Sequence, residues 1–247
     1  MKSSVAASKG SAARSAQLAV GRSTSVRPTP GKERGIVAYR RGETILEHFR
    51  RIYLSMQPLD TQDLISAIGV TSASEGEGRT TVAVGIAAAM AADLDAPVVL
   101  VEADLSHPGV HRVLGIAPEP GICEYLRNEC ELATALRQVS DHLFVLPAGN
   151  ARGQASRLIR QLTAGDLRQR LDASGALLVF DLPPILTSSY GVLATTIADS
   201  ITFVVRAGQT RDYQMKEALT RMDENAVRSV VLNATDSQLP RWLRGRV

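Results

Sequence analysis

Short apolar runs alternate with helical patterns along most of this chain, and no other sequence feature constrains the fold as strongly. Six runs have the length and continuous hydrophobicity of buried strands: Leu64–Val70, Val98–Val101, Leu143–Leu146, Leu177–Phe180, Ile201–Val205 and Val227–Leu232. Apolar residues recur at helical spacing in Glu43–Ser55, Thr80–Asp93, Gly121–Val139 (in two pieces), Ala155–Asp172, Gly191–Asp199 and Arg211–Asn225. Such strands, separated by helices, are typical of a parallel sheet covered on both faces. The sequence therefore predicts a doubly wound α/β fold with a mainly parallel sheet.

The excess of positive charge lies at the N-terminal end. The 247 residues have a formal net charge of +3, of which residues 1–34 contribute +6 and the remainder −3. The first 34 residues have few large apolar side chains, so their burial would not offset the entropy of ordering them. We predict a disordered basic arm over residues 1–42, a folded domain over 43–240 and a short basic tail without tyrosines over 241–247. A nucleic-acid partner is not expected, because the folded part has no excess of basic residues.

Nothing in the sequence predicts a membrane span or a disulfide. The longest uncharged apolar run, Val82–Ala92, has eleven residues, whereas a spanning helix needs about 20. The N-terminus lacks the apolar stretch of a secretory signal. Cys123 and Cys130 are expected to be free thiols on one face of a helix. We therefore expect a cytoplasmic protein without a transmembrane segment of its own.

A glycine-containing segment, SASEGEGRTT, follows the first predicted strand and leads directly into a helix. Glycines allow successive backbone amides to turn inward, and the helix presents its positive end, so this segment predicts a phosphate cradle. The candidate nucleotide-binding residues are Ser74, Glu75, Gly76, Glu77, Gly78, Arg79, Thr80, Thr81 and, after the last strand, Asn233. The standard P-loop pattern fails at Ala73 and Arg79. A tight glycine turn that caps a helix is the structural alternative.

Carboxylates follow two further predicted strands. Glu102 and Asp104 follow the second strand, and Asp181, with two prolines behind it, follows the fourth. Acids at strand ends beside a phosphate cradle suit a magnesium nucleotide. We predict Thr80, Asp104 and Asp181 as magnesium ligands and Arg79, Glu102 and Asp181 as catalytic residues. Each acid taken alone has a helix N-cap role as its alternative.

In this order, SASEGEGRTT, VEADLSHP and FDLPP resemble the Walker A, A′ and B motifs of bacterial tyrosine kinases (BY-kinases), which are P-loop NTPases of the deviant Walker type. The resemblance covers roughly residues 43–235. It implies ATP or ADP with Mg²⁺ as cofactors and a membrane polysaccharide co-polymerase or chain-length regulator as partner. It also implies a cytoplasmic location, peripheral to the plasma membrane through that partner, and homo-oligomerisation as one possibility. The first helix resembles the family's oligomerisation helix at Glu47 and Arg50, with Tyr53 where a second Arg is expected.

Four positions depart from the family pattern on the catalytic side. Arg79 replaces the Walker lysine, and its planar fork is wider than an ammonium group. Glu102 replaces the first A′ aspartate, Ser106 an arginine and Tyr190 an aspartate. The chain also lacks a C-terminal tyrosine cluster. We therefore predict a nucleotide-binding regulator of exopolysaccharide or capsule polymerisation or export, with weakened or lost tyrosine kinase activity.

Three other functions are alternatives to this one. The first is an active ATPase or kinase in which Arg79 performs the lysine's task. The second is a non-enzymatic scaffold of the polysaccharide export complex, which would bind through helix 43–55 and the basic ends. A dinucleotide-binding oxidoreductase is disfavoured, because that fold has no role for Asp181 and the two prolines behind it. Partitioning and division-site ATPases carry a signature lysine where this chain has Ser74, which favours the kinase-like branch.

Overall fold

Strands and helices alternate in the computed structural model, which describes residues 43–56, 65–223 and 226–234. In chain order the elements are α1 (Glu43–Met56), β1 (Ala67–Ser72), α2 (Arg79–Asp93), β2 (Val98–Glu102), α3 (Val110–Leu114), α4 (Ile122–Leu126), α5 (Leu132–Ala135), β3 (Arg137–Gln138), β4 (Leu143–Leu146), α6 (Ala155–Ala164), α7 (Leu167–Ala173), β5 (Leu177–Asp181), α8 (Gly191–Thr195), β6 (Ser200–Arg206), α9 (Asp212–Thr220) and β7 (Val227–Asn233).

The seven strands form one sheet in the order β3-β4-β2-β5-β1-β6-β7. All pairs are parallel except β3 with β4. Strand β5 lies between β1 and β2, and its register places Glu102 beside Asp181 at the carboxyl end of the sheet. Open α/β sheets bind ligands beyond this edge, where the strand order changes direction. The predicted mainly parallel, doubly wound fold is confirmed.

Helix α2 is buried between the sheet and α1. Its buried side chains are mostly Ala, Val and Ile, which allows α1 to approach closely. The closest approach is at Gly85, where an added Cβ would lie 2.4 Å from ring atoms of Phe49. Any side chain at Gly85 would therefore push α1 off its packing position, and burial of Phe49 against α2 fixes α1 to the sheet layer.

Polar contacts also join α1 to the end of α2. Arg50 donates to both carboxylate oxygens of Asp93, over 2.5 and 2.6 Å, and Tyr53 donates to the same carboxylate over 2.7 Å. Arg50 also bonds Glu47 within α1. The Arg50 hydrogen bonds hold the pKa of Asp93 below its usual value. Glu47 and Arg50, which match the family's oligomerisation helix, thus make contacts within this chain, and Tyr53 takes part in the same cluster.

Several predicted boundaries are wrong. The segment 121–139 contains two short helices and also strand β3, because the chain turns at 127–131 and pairs with β4. Cys130 lies in that turn, so the prediction that both cysteines share a helix face is wrong, although both are free. The helix predicted over 155–172 is interrupted between α6 and α7. Strands β2 and β5 extend one residue further than predicted, to Glu102 and Asp181.

The predicted arm over residues 1–42 and the tail over 241–247 lie outside the described residues. Within the described part, no helix combines the length and the apolar character that crossing a membrane requires.

Candidate functional site

The loop between β1 and α2 has the backbone shape of a phosphate cradle. Gly76 and Gly78 have φ values of +77° and +96°, in the region that favours glycine. A Cβ on Gly78 would also lie 2.0 Å from Nδ2 of Asn233, which donates to the carbonyl of Glu77 over 3.0 Å. The structure therefore places Asn233 beside the loop, where its side-chain amide bonds the loop backbone, and its role in nucleotide binding stays a prediction.

The buried carboxylate of Glu77 fixes the loop from inside. Its Oε2 accepts from the backbone amide of Ser74 over 3.0 Å, and its Oε1 accepts from the hydroxyl of Thr210 over 2.5 Å. Arg206 donates to the carbonyl of Gly76 over 2.7 Å. Arg206 ends β6 and Thr210 follows it, so both are too distant in sequence for the loop pattern to reveal them. Glu77 therefore shapes the loop, and both of its carboxylate oxygens are bonded within the protein.

Arg79, the first residue of α2, directs its guanidinium beneath the loop. Nε donates to the carbonyl of Leu182 over 3.0 Å, and Nη1 donates to Ser72 Oγ and the Ser74 carbonyl over 3.1 and 2.9 Å. Nη2 lies 3.0 Å from Oδ2 of Asp104. The side chain is buried. Four hydrogen bonds to protein acceptors thus hold the guanidinium beneath the loop, where the planar fork finds acceptors that suit it.

Thr80 and Asp181 meet at the carboxyl end of β5. The Thr80 hydroxyl donates to Asp181 Oδ2 over 2.7 Å, while Oδ1 is buried and has no hydrogen-bond partner in the described part of the chain. Burial raises the pKa of Asp181 to about 7, and the Thr80 hydrogen bond opposes that shift. A hydroxyl that donates its proton to a carboxylate keeps its lone pairs for a cation. This pair is the arrangement that best fits a bound Mg²⁺.

Glu102 is fully buried and is held by backbone amides from two loops. Oε1 accepts from the amides of Gly109 and Val110, and Oε2 accepts from Ala148 over 2.9 Å. The nearest histidine nitrogen, His111 Nδ1, is 4.0 Å from Oε2. Both oxygens are engaged and shielded from solvent. The geometry therefore assigns Glu102 to loop anchoring, and it does not support the predicted role as a base.

Asp104 lies beside Asp181, since its backbone amide donates to the Asp181 carbonyl over 3.0 Å. Its carboxylate is already shared between Arg79 and the amide of His107. No group of three or more Asp, Glu, His or Cys side chains forms a ready metal centre among the described residues. Mg²⁺ in nucleotide sites is commonly held by one or two carboxylates together with phosphates and waters. The predicted set of Thr80, Asp104 and Asp181 suits that mode.

Two of the departures from the family pattern contact each other. The hydroxyl of Tyr190 donates to Ser106 Oγ over 2.7 Å, and the Tyr190 ring is buried. Burial raises the pKa of Tyr190. The two substitutions therefore form one local contact beside the A′ segment.

A cavity of about 310 Å³ opens between the loop and α3. It is lined by Glu75, Gly76, Gly78, Arg79, Thr80, His107, Gly109 and Arg112. The Ser74 carbonyl points beneath the loop, where it accepts from Arg79. Thr81 is exposed on α2 and does not line the cavity. His107 and Arg112 were not predicted, because they follow the A′ acids by a few residues without a recognisable pattern.

Curated relatives include bacterial kinases and an export protein. The chain is 26% identical over 173 residues to tyrosine-protein kinase YwqD of Bacillus subtilis, covering 70% of this chain and 73% of that one. It is 27% identical over 199 residues to succinoglycan biosynthesis transport protein ExoP of Rhizobium meliloti, covering 78% of this chain but 25% of ExoP. No family model matches the chain.

Solved structures share the fold. The kinase domain of Escherichia coli tyrosine kinase ETK superposes with a TM-score of 0.72 at 20% identity, covering 88% of this chain and 87% of that one. A cobyrinic acid a,c-diamide synthase from Mycobacterium smegmatis, solved with an ATP analogue and magnesium, has a TM-score of 0.51 at 20% identity over 68% of this chain and 72% of that one.

The sheet order, the glycine loop and the acids at the strand ends define a P-loop NTPase fold of the deviant Walker type. Within that class, the curated relatives confirm the resemblance of this chain to the bacterial tyrosine kinases.

Proposed function

We propose that this chain binds a nucleoside di- or triphosphate with Mg²⁺ at the loop over residues 74–81. The bound nucleotide acts chiefly as a conformational signal, and phosphoryl transfer is weak or lost. In this proposal the loop amides bind phosphate, Thr80 and Asp181 hold the cation or its waters, and Asp104 completes the cation's surroundings.

The observation that carries the proposal is the unpaired oxygen of Asp181. A buried carboxylate oxygen without a partner is costly, and this one lies beside the Thr80 hydroxyl, next to a loop with two positive-φ glycines. A bound cation would satisfy it and supply charge neutralisation for the phosphates. The cavity above Thr80 supports the same site.

Two side-chain arrangements support weak or lost phosphoryl transfer. The N–H groups of Arg79 donate to two backbone carbonyls and to Asp104. These donors are therefore not directed at a phosphate that is being transferred. Glu102 has both oxygens bound by backbone amides, so no free base stands at that position. In this proposal the loop, Thr80 and Asp181 hold the nucleotide, whereas Arg79 and Glu102, the groups expected to act on it, are bonded to the protein.

Calorimetric titration with Mg-ATP and Mg-ADP tests the proposal. Binding by the native protein, lost in Gly78→Asp and in Asp181→Ala, supports it. An absence of heat at millimolar nucleotide contradicts it. The active-kinase alternative requires transfer of γ-phosphate to this chain or to a co-purified protein, abolished in Asp181→Ala; a label that persists in that variant excludes this site as its source.

We further propose that the chain works on the cytoplasmic side of a polysaccharide polymerisation or export system with a membrane chain-length regulator. The support is the succinoglycan transport protein among its relatives. Deletion of the gene should change the amount or length of an exported polysaccharide, and Gly78→Asp should reproduce the change. Normal polymer in the deletion strain contradicts this role. Normal polymer in Gly78→Asp alone would favour the scaffold alternative.

A further inference from the structure

The cations closest to the loop are engaged by the protein itself. Arg79 is paired with Asp104 and bonded to two carbonyls, and Arg206 is bonded to the carbonyl of Gly76. His107 Nδ1 lies 3.5 Å from Glu75 Oε1. Neither arginine has its charge directed freely into the cavity above Thr80, and the His107 ring is turned towards Glu75.

Arg112 differs from these cations. It lies on α3, lines the cavity and is exposed. No carboxylate of the described residues lies within ion-pair distance of its guanidinium. A Cβ placed on Gly109 would be 3.8 Å from Nη2 of Arg112 and 3.3 Å from Oγ1 of Thr80. The guanidinium and the Thr80 hydroxyl therefore both lie beside Gly109 in the wall of the cavity.

The negative charge around the cavity makes an unpaired cation such as the Arg112 guanidinium necessary for binding a polyphosphate. Glu75 lines the cavity, and the buried carboxylates of Asp104 and Asp181 lie behind its wall, bonded to Arg79 and Thr80. The Arg79 charge is offset by Asp104. A nucleoside triphosphate brings about four negative charges, and one Mg²⁺ neutralises two of them. A guanidinium binds phosphate oxygens through two parallel N–H donors and is weakly hydrated, so it is well suited to the remaining charge.

We propose that Arg112 is the phosphate-binding cation of this site and contacts the terminal phosphates of the bound nucleotide, in place of the residue at the first turn of α2. The inference rests on the proposed nucleotide binding. It assigns to α3, and not to the Walker A segment, the charge that distinguishes a triphosphate from a diphosphate.

The test compares Arg112→Gln and Arg112→Lys with Arg157→Gln, a matched exposed arginine on α6 outside the cavity lining. Titration with Mg-ATP should show affinity reduced by about tenfold to a hundredfold in Arg112→Gln, as expected for loss of a charged hydrogen bond. Arg112→Lys should recover part of that loss. The affinity for Mg-ADP should fall less, and Arg157→Gln should match the native protein. Equal melting temperatures of all four proteins confirm that the fold is unchanged.

The outcomes separate the two proposals. If the native protein binds and Arg112→Gln binds Mg-ATP equally well, the role of Arg112 is overturned while nucleotide binding stands. An equal loss in Arg157→Gln also overturns it, because the effect is then general electrostatics. If the native protein binds no nucleotide, both proposals fail together.

Discussion

The guanidinium of Arg79 lies 3.0 Å from the carboxylate of Asp104, and the two side chains are only 8% and 4% exposed. This pair joins the first residue of α2 to the segment after β2, underneath the candidate phosphate loop. Burial of each charge is unfavourable, and the opposite charge offsets that cost. Removal of one member should therefore lower the free energy of unfolding more than removal of both.

Arg79→Ala should therefore lower the free energy of unfolding by about 3 kcal/mol, because it leaves the Asp104 carboxylate buried and unpaired. Adding Asp104→Asn should recover part of that loss. Urea denaturation of the native protein, both single variants and the double variant measures the coupling. Additive single effects would show that the two side chains are energetically independent.

Asp181→Asn should make stability less sensitive to pH. The pKa of Asp181 is raised by burial from 3.8 to about 7, so the folded protein binds this proton more tightly than the unfolded chain. The contribution of the group to stability therefore falls as pH rises from about 4 through 7. The free energy of unfolding of Asp181→Asn, relative to that of the native protein, should therefore rise by about 2 kcal/mol between pH 5 and pH 8. Thermal unfolding at both pH values, without nucleotide or Mg²⁺, measures it; a constant difference would refute the shifted pKa.

Glu102→Gln should destabilise the loops at the carboxyl edge. The charged acceptor of three backbone amides is lost, and the new amide group must face one of those N–H donors. We expect a loss of about 2 kcal/mol. Hydrogen exchange should accelerate at the amides of Gly109, Val110 and Ala148. Glu217→Gln, in an exposed helix pair, is the control. Unchanged exchange at these three amides would contradict the anchoring role.

Asp93→Asn should loosen α1 selectively, because Asp93 accepts from both Arg50 and Tyr53. Amide protection in α1 should fall by about tenfold, while protection in α2 and the central strands is retained. Asp166→Asn provides the comparison, since the carboxylate of Asp166, the residue before α7, bonds an exposed arginine of that helix. Equal effects of the two variants would show that the α1 contact is no stronger than an ordinary surface pair.

The sequence predicted the sheet and the loop well, because continuous apolar runs and a glycine segment before a helix are local patterns. The structure brings Thr80, Asp104 and Asp181 together at the carboxyl edge of the sheet, and their role as magnesium ligands stays a prediction. The sequence did not predict the direction of the Arg79 and Glu102 side chains. That direction depends on partners such as Leu182 and Ala148, which are distant in sequence and meet these residues only when the strands pair. Strand β3, at the end of the helical pattern predicted over 121–139, was missed for the same reason, since pairing with β4 overrides that local pattern.

The close packing of α1 on α2 at Gly85 matters for the design of shorter fragments of this chain. The ring of Phe49 covers the outer surface of α2 at that glycine. A fragment starting after Met56 would therefore expose an apolar surface of alanine and valine side chains on α2. Such a fragment should precipitate or dimerise artificially, and its ligand affinity would then describe an artefact. Fragments for crystallisation or titration should begin before Glu43.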